Sequence, residues 1–247
     1  MPPAPPLDPA DALFLDFDGT LAEIAAAPDQ VALDLEVPAL LDAAAARLGG
    51  ALAVVSGRGL DELARLVAPF AGALAGGHGH ERRTIEGTVH RPAPDPALPR
   101  VRAVLRDFAA GLPGVLFEDK GLSLALHFRA VPAAAAACQA AAQQAASLAA
   151  PRLTVMPGKM VVEVLPRAAA KGAAVEAFLA TPPFAGRRPV FVGDDVTDED
   201  GFALVNRLGG VSIRVGAADI ASAARFRIAD VPSVVAWLAA FAAAAAG

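Results

Sequence analysis

Two aspartates interrupt an apolar, strand-like run near the start of the sequence. The stretch LFLDFDGTL, residues 13–21, passes from large apolar side chains directly into Asp16 and Asp18 and then into Gly19. An ionised carboxylate in apolar surroundings needs a cation or several hydrogen-bond donors. An Asp-Gly hairpin turn would also explain DFDGT, but the following LAEIAAAP lacks the alternation of a returning strand. The pattern therefore favours a functional pair of carboxylates.

A second acidic stretch lies late in the sequence. GDDVTDED places Asp194, Asp195 and Asp198 after the apolar run PVFVG. Taken alone, this stretch is typical of a solvated helix start, where acidic residues cap the helix and interact favourably with its dipole. Together with DFDGT, it indicates that carboxylates from two strand ends converge. Mg²⁺ suits such a group, because it prefers oxygen ligands and bridges carboxylates to phosphate.

Two further residues suit an anionic group. Ser56 is the first residue of SGRG, in which its hydroxyl and the glycine-flanked backbone amides can hold a phosphate oxygen. A serine that caps a helix, followed by glycines in a turn, explains the motif equally well. Lys171 stands in AAAKGAAVEAF at a predicted helix start, where the helix dipole disfavours a cation. We therefore expect an anion near Lys171, although solvated lysines also occur at such positions.

Apolar runs alternate with helical patterns in the first and last parts of the chain. This β-α-β order predicts an α/β fold with a Rossmann-like core, in which a parallel sheet has helices on both faces. Ligands of such sheets bind beyond the carboxyl ends of the strands, where the polar residues above fall. The predicted strands are 12–17, 51–56, 189–193 and 211–215, and the predicted helices are 36–48, 60–67, 171–180, 199–207 and a terminal helix.

The middle of the chain follows a different pattern. After a proline-rich stretch, the sequence predicts a helix (100–111), two strands joined at Gly121, a helix (133–149) and two strands joined near Pro157. In SLALHFR, apolar residues alternate with Ser, His and Arg, which is typical of an antiparallel sheet with one covered and one open face. We therefore predict an inserted α+β (αββαββ) cap domain over 96–167, between core segments 1–95 and 168–247. We expect this cap to open and close over the core.

Composition and charge restrict the class of protein. The 247 residues are 55% hydrophobic, which is enough for a globular core. A net charge of −5 gives no reason to expect nucleic acid or a membrane as partner. Cys138, the single cysteine, excludes an intrachain disulfide and suits a reducing compartment, so we expect a cytoplasmic protein, with a monomer as the simplest state. The start, MPPAPPLDPADA, is predicted to be a short disordered lead, and the apolar C-terminal stretch is too short to span a membrane.

The pieces DFDGT, Ser56, Lys171 and GDDVTD, in this order, resemble the haloacid dehalogenase superfamily of aspartyl phosphotransferases. The resemblance implies that Asp16 is a nucleophile that forms an aspartyl phosphate. It implies that Asp18 protonates the leaving alcohol and later deprotonates the attacking water. Ser56 and Lys171 would hold the transferring phosphoryl group.

The same resemblance implies Mg²⁺ as the cofactor. The ion would offset the charge of the phosphoryl oxygens. The implied ligands are Asp16, the backbone carbonyl of Asp18, and Asp194, with Asp195 or Asp198 in support.

A narrower resemblance extends through the cap. SGR (56–58), GHGHERR (77–83), EDKGLSLALHFR (118–129) and PGKMVVEVLPRAAAKG (157–172) resemble the trehalose-6-phosphate phosphatases. The resemblance implies hydrolysis of trehalose 6-phosphate to trehalose and phosphate, the last step of trehalose biosynthesis. Charged side chains on a rigid sheet suit a disaccharide, because they bind hydroxyls in fixed directions. The implied substrate-binding residues, besides Ser56, are Gly19, Gly57, Arg58, His78, Glu118, Lys120, Arg129, Lys159 and Glu163. For His127 we prefer a structural role in its strand.

Other functions remain open at this point. A related phosphatase acting on sucrose phosphate or a phosphorylated glycoside, or a sugar phosphomutase, would use the same core. A receiver-like regulatory domain would be phosphorylated on aspartate without turnover, but Lys171 and the large cap argue against it. A dinucleotide-binding domain is disfavoured, because no G-x-G-x-x-G follows the first strand.

Overall fold

The chain divides into two compact units in a computed structural model, which describes residues 1–25, 30–217 and 221–244. The first, which we call the core unit, comprises Met1–His90 and Ala170–Gly247. The second, which we call the cap unit, is Arg91–Ala169. The sequence places the cap at 96–167, within a few residues of these limits.

The core unit contains one eight-stranded sheet within the described residues. Its strands are β1 (Asp11–Leu15), β2 (Leu52–Val55), β3 (Ala73–Gly76), β4 (Glu81–Arg83), β5 (Val89–His90), β10 (Arg188–Gly193), β11 (Val211–Val215) and β12 (Phe226–Ile228). Their order is β12-β11-β10-β1-β2-β3-β4-β5; neighbours from β12 to β3 are parallel, and β4 and β5 extend the sheet in antiparallel fashion. The predicted parallel-sheet core is confirmed, whereas β3, β4, β5 and β12 were not predicted.

Helices pack against this sheet. In the described part of the core unit they are α1 (Val37–Arg47), α2 (Leu60–Leu66), α5 (Lys171–Leu179), α6 (Glu199–Arg207) and α7 (Val231–Ala243). α1 packs on α7, and α5 packs on α6. β1 and β2 are buried along their whole length, as expected for parallel strands covered on both faces. Phe14 of β1 stacks on Phe184, with ring centroids 5.5 Å apart, and Phe178 of α5 joins them.

The terminal helix begins at Val231. Asp230 caps α7, because its Oδ1 accepts a hydrogen bond from the backbone N–H of Ser233 at 2.9 Å. Pro232 occupies the first turn, where its missing N–H costs nothing. Across the described ranges, we find no helix with the length and apolar character that a membrane crossing requires.

The proline-rich start is ordered, so the prediction of a disordered lead is wrong. Pro3 forms a parallel bridge with Arg227 of β12. The N–H of Ala4 donates to the carbonyl of Arg227 at 3.0 Å, and the indole N–H of Trp237 donates to the carbonyl of Pro5 at 2.9 Å. The open edge of β12 offers backbone partners, and proline is tolerated at a sheet edge because it needs no N–H there.

The cap unit has the predicted αββαββ order. Its elements are α3 (Leu98–Ala110), β6 (Leu116–Asp119), β7 (Leu124–His127), α4 (Ala135–Ser147), β8 (Leu153–Gly158) and β9 (Val161–Pro166). The antiparallel sheet has the order β6-β7-β9-β8. α3 and α4 cover one face, where Leu105, Leu124, Leu126, Cys138 and Val164 share an apolar core.

Candidate active site

Three strand ends of the core sheet bring polar residues to one edge. β1 lies between β2 and β10, and all three run parallel. Asp16 follows β1, Ser56 follows β2 and Asp194 follows β10. The N–H of Asp16 donates to the carbonyl of Val192 at 2.9 Å, so the register of the sheet continues to the first aspartate. This edge is where α/β sheets bind ligands.

Asp16, Asp194 and Asp198 form an acidic cluster at this edge. One carboxylate oxygen of each lies within 4.8 Å of the others. Asp16 is 3% exposed and Asp198 is fully buried. Because all the donors are hard oxygen atoms, the cluster is compatible with binding a divalent metal ion.

Lys171 brings a positive charge to this acidic cluster. It is the first residue of α5 and is 3% exposed. Its Nζ donates to Oδ1 of Asp16 at 2.6 Å and to Oδ1 of Asp198 at 2.7 Å. Burial alone would lower the pKa of Lys171, but the charges of Asp16 and Asp198 raise it above its ordinary value, so the side chain stays charged. This anionic partner explains a lysine at a helix start.

The acidic cluster carries more negative charge than Lys171 neutralises. Burial, followed by the charge of Asp198, raises the pKa of Asp16 well above its usual range; Lys171 acts in the opposite direction, and Asp194 raises it further. Two of the three carboxylates of the cluster, Asp16 and Asp198, pair with the ammonium group of Lys171. A divalent ion would supply the missing positive charge and allow all three carboxylates to be ionised together.

Asp198 and Asp195 have different roles in the loop after β10. Oδ2 of Asp198 accepts hydrogen bonds from the N–H groups of Asp194 and Asp195, each at 3.0 Å. Oδ1 of Asp195 accepts from the N–H of Val196 at 2.7 Å and caps the short helical turn that follows. Of the two residues predicted to support the metal, Asp198 lies in the acidic cluster, whereas the Asp195 carboxylate is used in a cap.

Gly19 allows Asp194 to approach the turn after β1. Its φ is +80°, a left-handed conformation that favours glycine. A Cβ at this position would lie 2.2 Å from Oδ2 of Asp194. The glycine of DFDGT therefore meets two requirements, a conformational one and a steric one.

Asp18 is held by Arg58. The two residues form a bidentate ion pair, with Nε to Oδ2 at 2.8 Å and Nη2 to Oδ1 at 2.7 Å. Arg58 is 7% exposed, also pairs with Glu62, and lies 5.6 Å from the ring centroid of Phe17. We expected Arg58 to reach phosphate or sugar; here its guanidinium is fixed on the carboxylate predicted to be the general acid and base.

The loop after β2 is packed against the loop after β3. Ser56 is buried, and its Oγ accepts a hydrogen bond from the N–H of Arg58 at 3.2 Å. The N–H of His78 donates to the carbonyl of Ser56 at 2.9 Å. A Cβ at Gly57 would lie 2.6 Å from the His78 ring. His78 itself has φ +55°, a strained conformation that often marks a functional site.

The cap sheet gathers Glu118, Lys120 and Glu163 on one face. Nζ of Lys120 lies 3.2 Å from Oε2 of Glu163. His127 Nε2 lies 2.6 Å from Oε2 of Glu118, and Oγ of Ser123 donates to Oε1 of Glu163 at 2.5 Å. Burial alone would raise the pKa of Glu118, but the hydrogen bond with His127 and the charge of Lys120 hold it below its usual value.

Arg129 and Lys159 lie at one end of the same sheet. Both side chains are exposed. The N–H of Phe128 donates to the carbonyl of Met160 at 3.0 Å, which places the segment after β7 beside the turn between β8 and β9. These two cations therefore border the sheet instead of joining the group at Glu163.

Comparison with known proteins identifies the family. The family model for trehalose-phosphatase matches residues 14–232. The chain belongs to the trehalose-phosphatase family. It is 49% identical over 205 residues to a probable trehalose-phosphate phosphatase of Sinorhizobium fredii, covering 83% of this chain and 77% of that one. It is 44% identical over 235 residues to the trehalose-6-phosphate phosphatase of Escherichia coli, covering 95% and 87%.

A solved structure shares the fold of this trehalose-phosphatase family member. The C-terminal domain of C. albicans trehalose-6-phosphate phosphatase superposes with a TM-score of 0.82, covering 94% of this chain and 92% of that one at 22% identity. The predicted family, that of the trehalose-6-phosphate phosphatases, and the predicted fold class, an α/β parallel-sheet core with an inserted α+β cap, are confirmed.

Some features of this trehalose-phosphatase family member were not anticipated. The polar face of the cap sheet was expected to be open, but its centre is buried: Ser123 is 3% exposed and Glu163 is 5% exposed. The contacts of Ser123 with Glu163 and of His127 with Glu118 were also missed. The alternation in SLALHFR, which puts Ser123 and His127 on one face, was the signal that could have found them.

We expect Gly19→Ala to lower phosphate release by roughly 100-fold, because a displacement of about 1 Å in a reacting group costs that much. The added methyl group must displace Asp194. Steady-state phosphate release and Mg²⁺ titration by calorimetry measure the effect. Gly87→Ala is the matched control: Gly87 also has a left-handed φ, +85°, but nothing in the described part of the chain lies within 4 Å of the position that a Cβ would take there. Equal losses in both variants would mean that backbone strain, not the contact with Asp194, is responsible.

Proposed function

We propose that this chain is a Mg²⁺-dependent phosphatase that hydrolyses trehalose 6-phosphate to trehalose and phosphate through an aspartyl-phosphate intermediate. The observation that carries the proposal is the buried Asp16 carboxylate, held by Lys171 within an all-oxygen acidic cluster, in a chain 44% identical to a protein named trehalose-6-phosphate phosphatase. The free, buried Cys138 is compatible with the cytoplasm, where we expect the enzyme to work.

Asp16 is the residue that we propose forms the covalent intermediate. Its carboxylate attacks phosphorus, and the bond between phosphorus and the sugar oxygen breaks while Asp18 gives a proton to that oxygen. A water molecule then attacks the aspartyl phosphate and loses a proton to Asp18. The bond between phosphorus and Asp16 breaks, and inorganic phosphate leaves.

Arg58 controls Asp18 in this scheme. A guanidinium that pairs with both oxygens of Asp18 cannot at the same time bind an anionic substrate through the same groups. We propose that Arg58 turns to the phosphate or sugar when substrate binds, and that the released Asp18 then transfers the proton. Ser56 and Gly57 would hold phosphoryl oxygens beside Lys171. The N–H of Gly19 donates to the carbonyl of Ala22 at 2.7 Å, so Gly19 would contribute through the space that it leaves for Asp194.

The metal ligands that we propose are Asp16, Asp194 and the backbone carbonyl of Asp18. Asp198 accepts from Lys171 with one oxygen and from the N–H groups of Asp194 and Asp195 with the other, so in this proposal it orients the loop that carries Asp194 and supports the ligands. Mg²⁺, when bound, offsets negative charge on the phosphoryl oxygens.

The cap unit supplies the sugar-binding groups in this proposal. Its candidates are Glu118, Lys120, Arg129, Lys159 and Glu163, with His78 from the core unit. Carboxylates accept hydrogen bonds from hydroxyl groups, and ammonium and guanidinium groups donate to their oxygens, so the set can recognise the many hydroxyls of a disaccharide. Closure of the cap would exclude water during phosphorylation of Asp16.

A panel of phosphate esters tests the proposed function. We expect trehalose 6-phosphate to be hydrolysed with a kcat/KM roughly 100-fold or more above that of p-nitrophenyl phosphate, because one or two charged hydrogen bonds to the sugar suffice for that difference. Chelation of Mg²⁺ should remove the activity on both. A preference for sucrose phosphate or another phosphorylated glycoside would indicate the related phosphatase. Transfer of phosphate within the sugar would indicate a mutase, and a stable acyl phosphate without turnover would indicate a regulatory domain.

A further inference from the structure

Two carboxylates of the cap sheet lie in one cross-strand row. β7 lies between β6 and β9. Its Ala125 is paired with Glu118 of β6 on one side and with Glu163 of β9 on the other. Residues directly opposite each other on neighbouring strands point to the same face. Glu118 and Glu163 therefore flank the small side chain of Ala125, which leaves space for both to extend over the same part of the sheet.

Ser123, which directly precedes β7, and His127, the last residue of β7, stand on either side of Ala125 along the chain. Side chains two residues apart share a face of a strand, so both point to the face that carries the carboxylates. Each residue contacts a different one: Ser123 Oγ donates to Oε1 of Glu163 at 2.5 Å, and His127 Nε2 lies 2.6 Å from Oε2 of Glu118. The intervening residues, Leu124 and Leu126, belong to the apolar core on the opposite face.

The hydroxyl of Ser123 fixes the orientation of a buried carboxylate. Glu163 is 5% exposed, and an ionised carboxylate at that depth requires several donors. Lys120 meets Oε2 at 3.2 Å and Ser123 meets Oε1, so the two oxygens have different neighbours and the carboxylate plane is defined. A carboxylate oxygen accepts more than one hydrogen bond, so the contacts with Lys120 and Ser123 are compatible with a further hydrogen bond from a ligand.

We propose that Ser123 and His127 are positioning residues that orient Glu163 and Glu118 to accept hydrogen bonds from hydroxyl groups of the sugar. The proposal rests on the proposed function, which assigns the two carboxylates to substrate binding. It adds that β7, which contributes no residue to the predicted substrate-binding set, determines sugar selectivity through its contacts with β6 and β9.

The first test is Ser123→Ala with two phosphate esters. We expect KM for trehalose 6-phosphate to rise about 10-fold, the effect of one hydrogen bond to a charged group, with kcat and the rate on p-nitrophenyl phosphate nearly unchanged. Ser123→Thr keeps the hydroxyl and should restore KM. Ser147→Ala, the same change at an exposed position of α4, is the control. The contact of His127 with Glu118 is tested in the same way. His127→Leu removes the polar ring, and His127→Gln keeps a hydrogen-bond donor.

Double-mutant cycles distinguish positioning from a merely structural role. If Ser123 acts through Glu163, Ser123→Ala should cause almost no further rise in KM when Glu163→Gln is already present, because the effects of interacting residues are non-additive. His127→Leu should likewise cause almost no further rise in KM when Glu118→Gln is already present. The proposal would be overturned by additive losses in the double mutants, by equal losses on both esters, or by an unchanged KM in Ser123→Ala and His127→Leu. In each of these cases, a wild-type preference for the disaccharide would still support the proposed function. A wild-type enzyme without that preference would overturn both. Thermal melts of each variant, with Ser123→Cys as a second replacement of matched size, separate loss of folding from loss of orientation.

Discussion

Replacing Asp16 by asparagine should reduce phosphate release by at least about 10⁴-fold, the scale seen when a catalytic triad residue is removed. The amide has nearly the shape of the carboxylate but is a poor nucleophile and a poor ligand for a hard cation. Phosphate release from trehalose 6-phosphate under saturating Mg²⁺ measures the loss. Activity near that of the parent would contradict the assignment of Asp16 as nucleophile.

The same variant should keep its fold and should not lose stability in the absence of metal. Burial and the charge of Asp198 raise the pKa of Asp16 in the folded chain. Between the pKa of the carboxyl in the unfolded chain and its raised pKa in the folded chain, the folded state binds more protons than the unfolded state. The free energy of unfolding therefore falls as the pH rises through this range. Asparagine does not titrate, so the variant lacks this loss at neutral pH. Thermal unfolding should show an equal or higher melting temperature without Mg²⁺ and a smaller increase when Mg²⁺ is added. Asp42→Asn, at an exposed site on α1, is the matched control.

The sequence predicts the parts of the fold that have a strong periodic signal. Each long apolar run of the core became a central parallel strand, and the αββαββ order of the cap followed from the change in pattern. β4 and β5 have three and two residues, ERR and VH, too few and too polar for alternation to be recognised. The start of the chain reads as disordered from its prolines, because its partners, which include Arg227 of β12 and Trp237 of α7, are distant in the sequence.

The candidate site was predictable to the level of residue types and strand ends, but not to the level of contacts. The convergence of Asp16 and Asp194 follows from parallel strands ending at one edge. The pairing of Arg58 with Asp18 joins residues 40 positions apart, and no periodic pattern encodes it. The pairing of Ser123 with Glu163 depends on β7 and β9 being neighbours, which requires the strand order of the cap sheet.

Replacing Lys171 by methionine should impair both activity and stability. The substitution keeps the length and apolar stem of the side chain but removes the ammonium group that contacts Asp16 and Asp198. Loss of a donor to the transferring group should lower kcat by about 10³-fold. Breaking a buried ion pair by removing one partner costs about 3–5 kcal/mol of unfolding free energy, and both carboxylates here are almost fully buried.

The pH dependence identifies the origin of the stability loss in Lys171→Met. In the parent, the pKa of Lys171 is raised in the folded chain. Its contribution to the free energy of unfolding is therefore fully present below the ordinary lysine pKa and is lost only at strongly alkaline pH. In the variant, uncompensated carboxylates destabilise the fold when ionised, so the difference in unfolding free energy should be largest near neutral pH and should shrink towards about pH 4, the ordinary value for aspartate. Urea unfolding at both pH values, with Lys159→Met at an exposed position of the cap as control, measures the difference. Mg²⁺ should reduce the difference at neutral pH, because a divalent ion replaces part of the missing charge. A pH-independent loss would instead point to altered packing around α5 and would remove the electrostatic basis for placing Lys171 in the site.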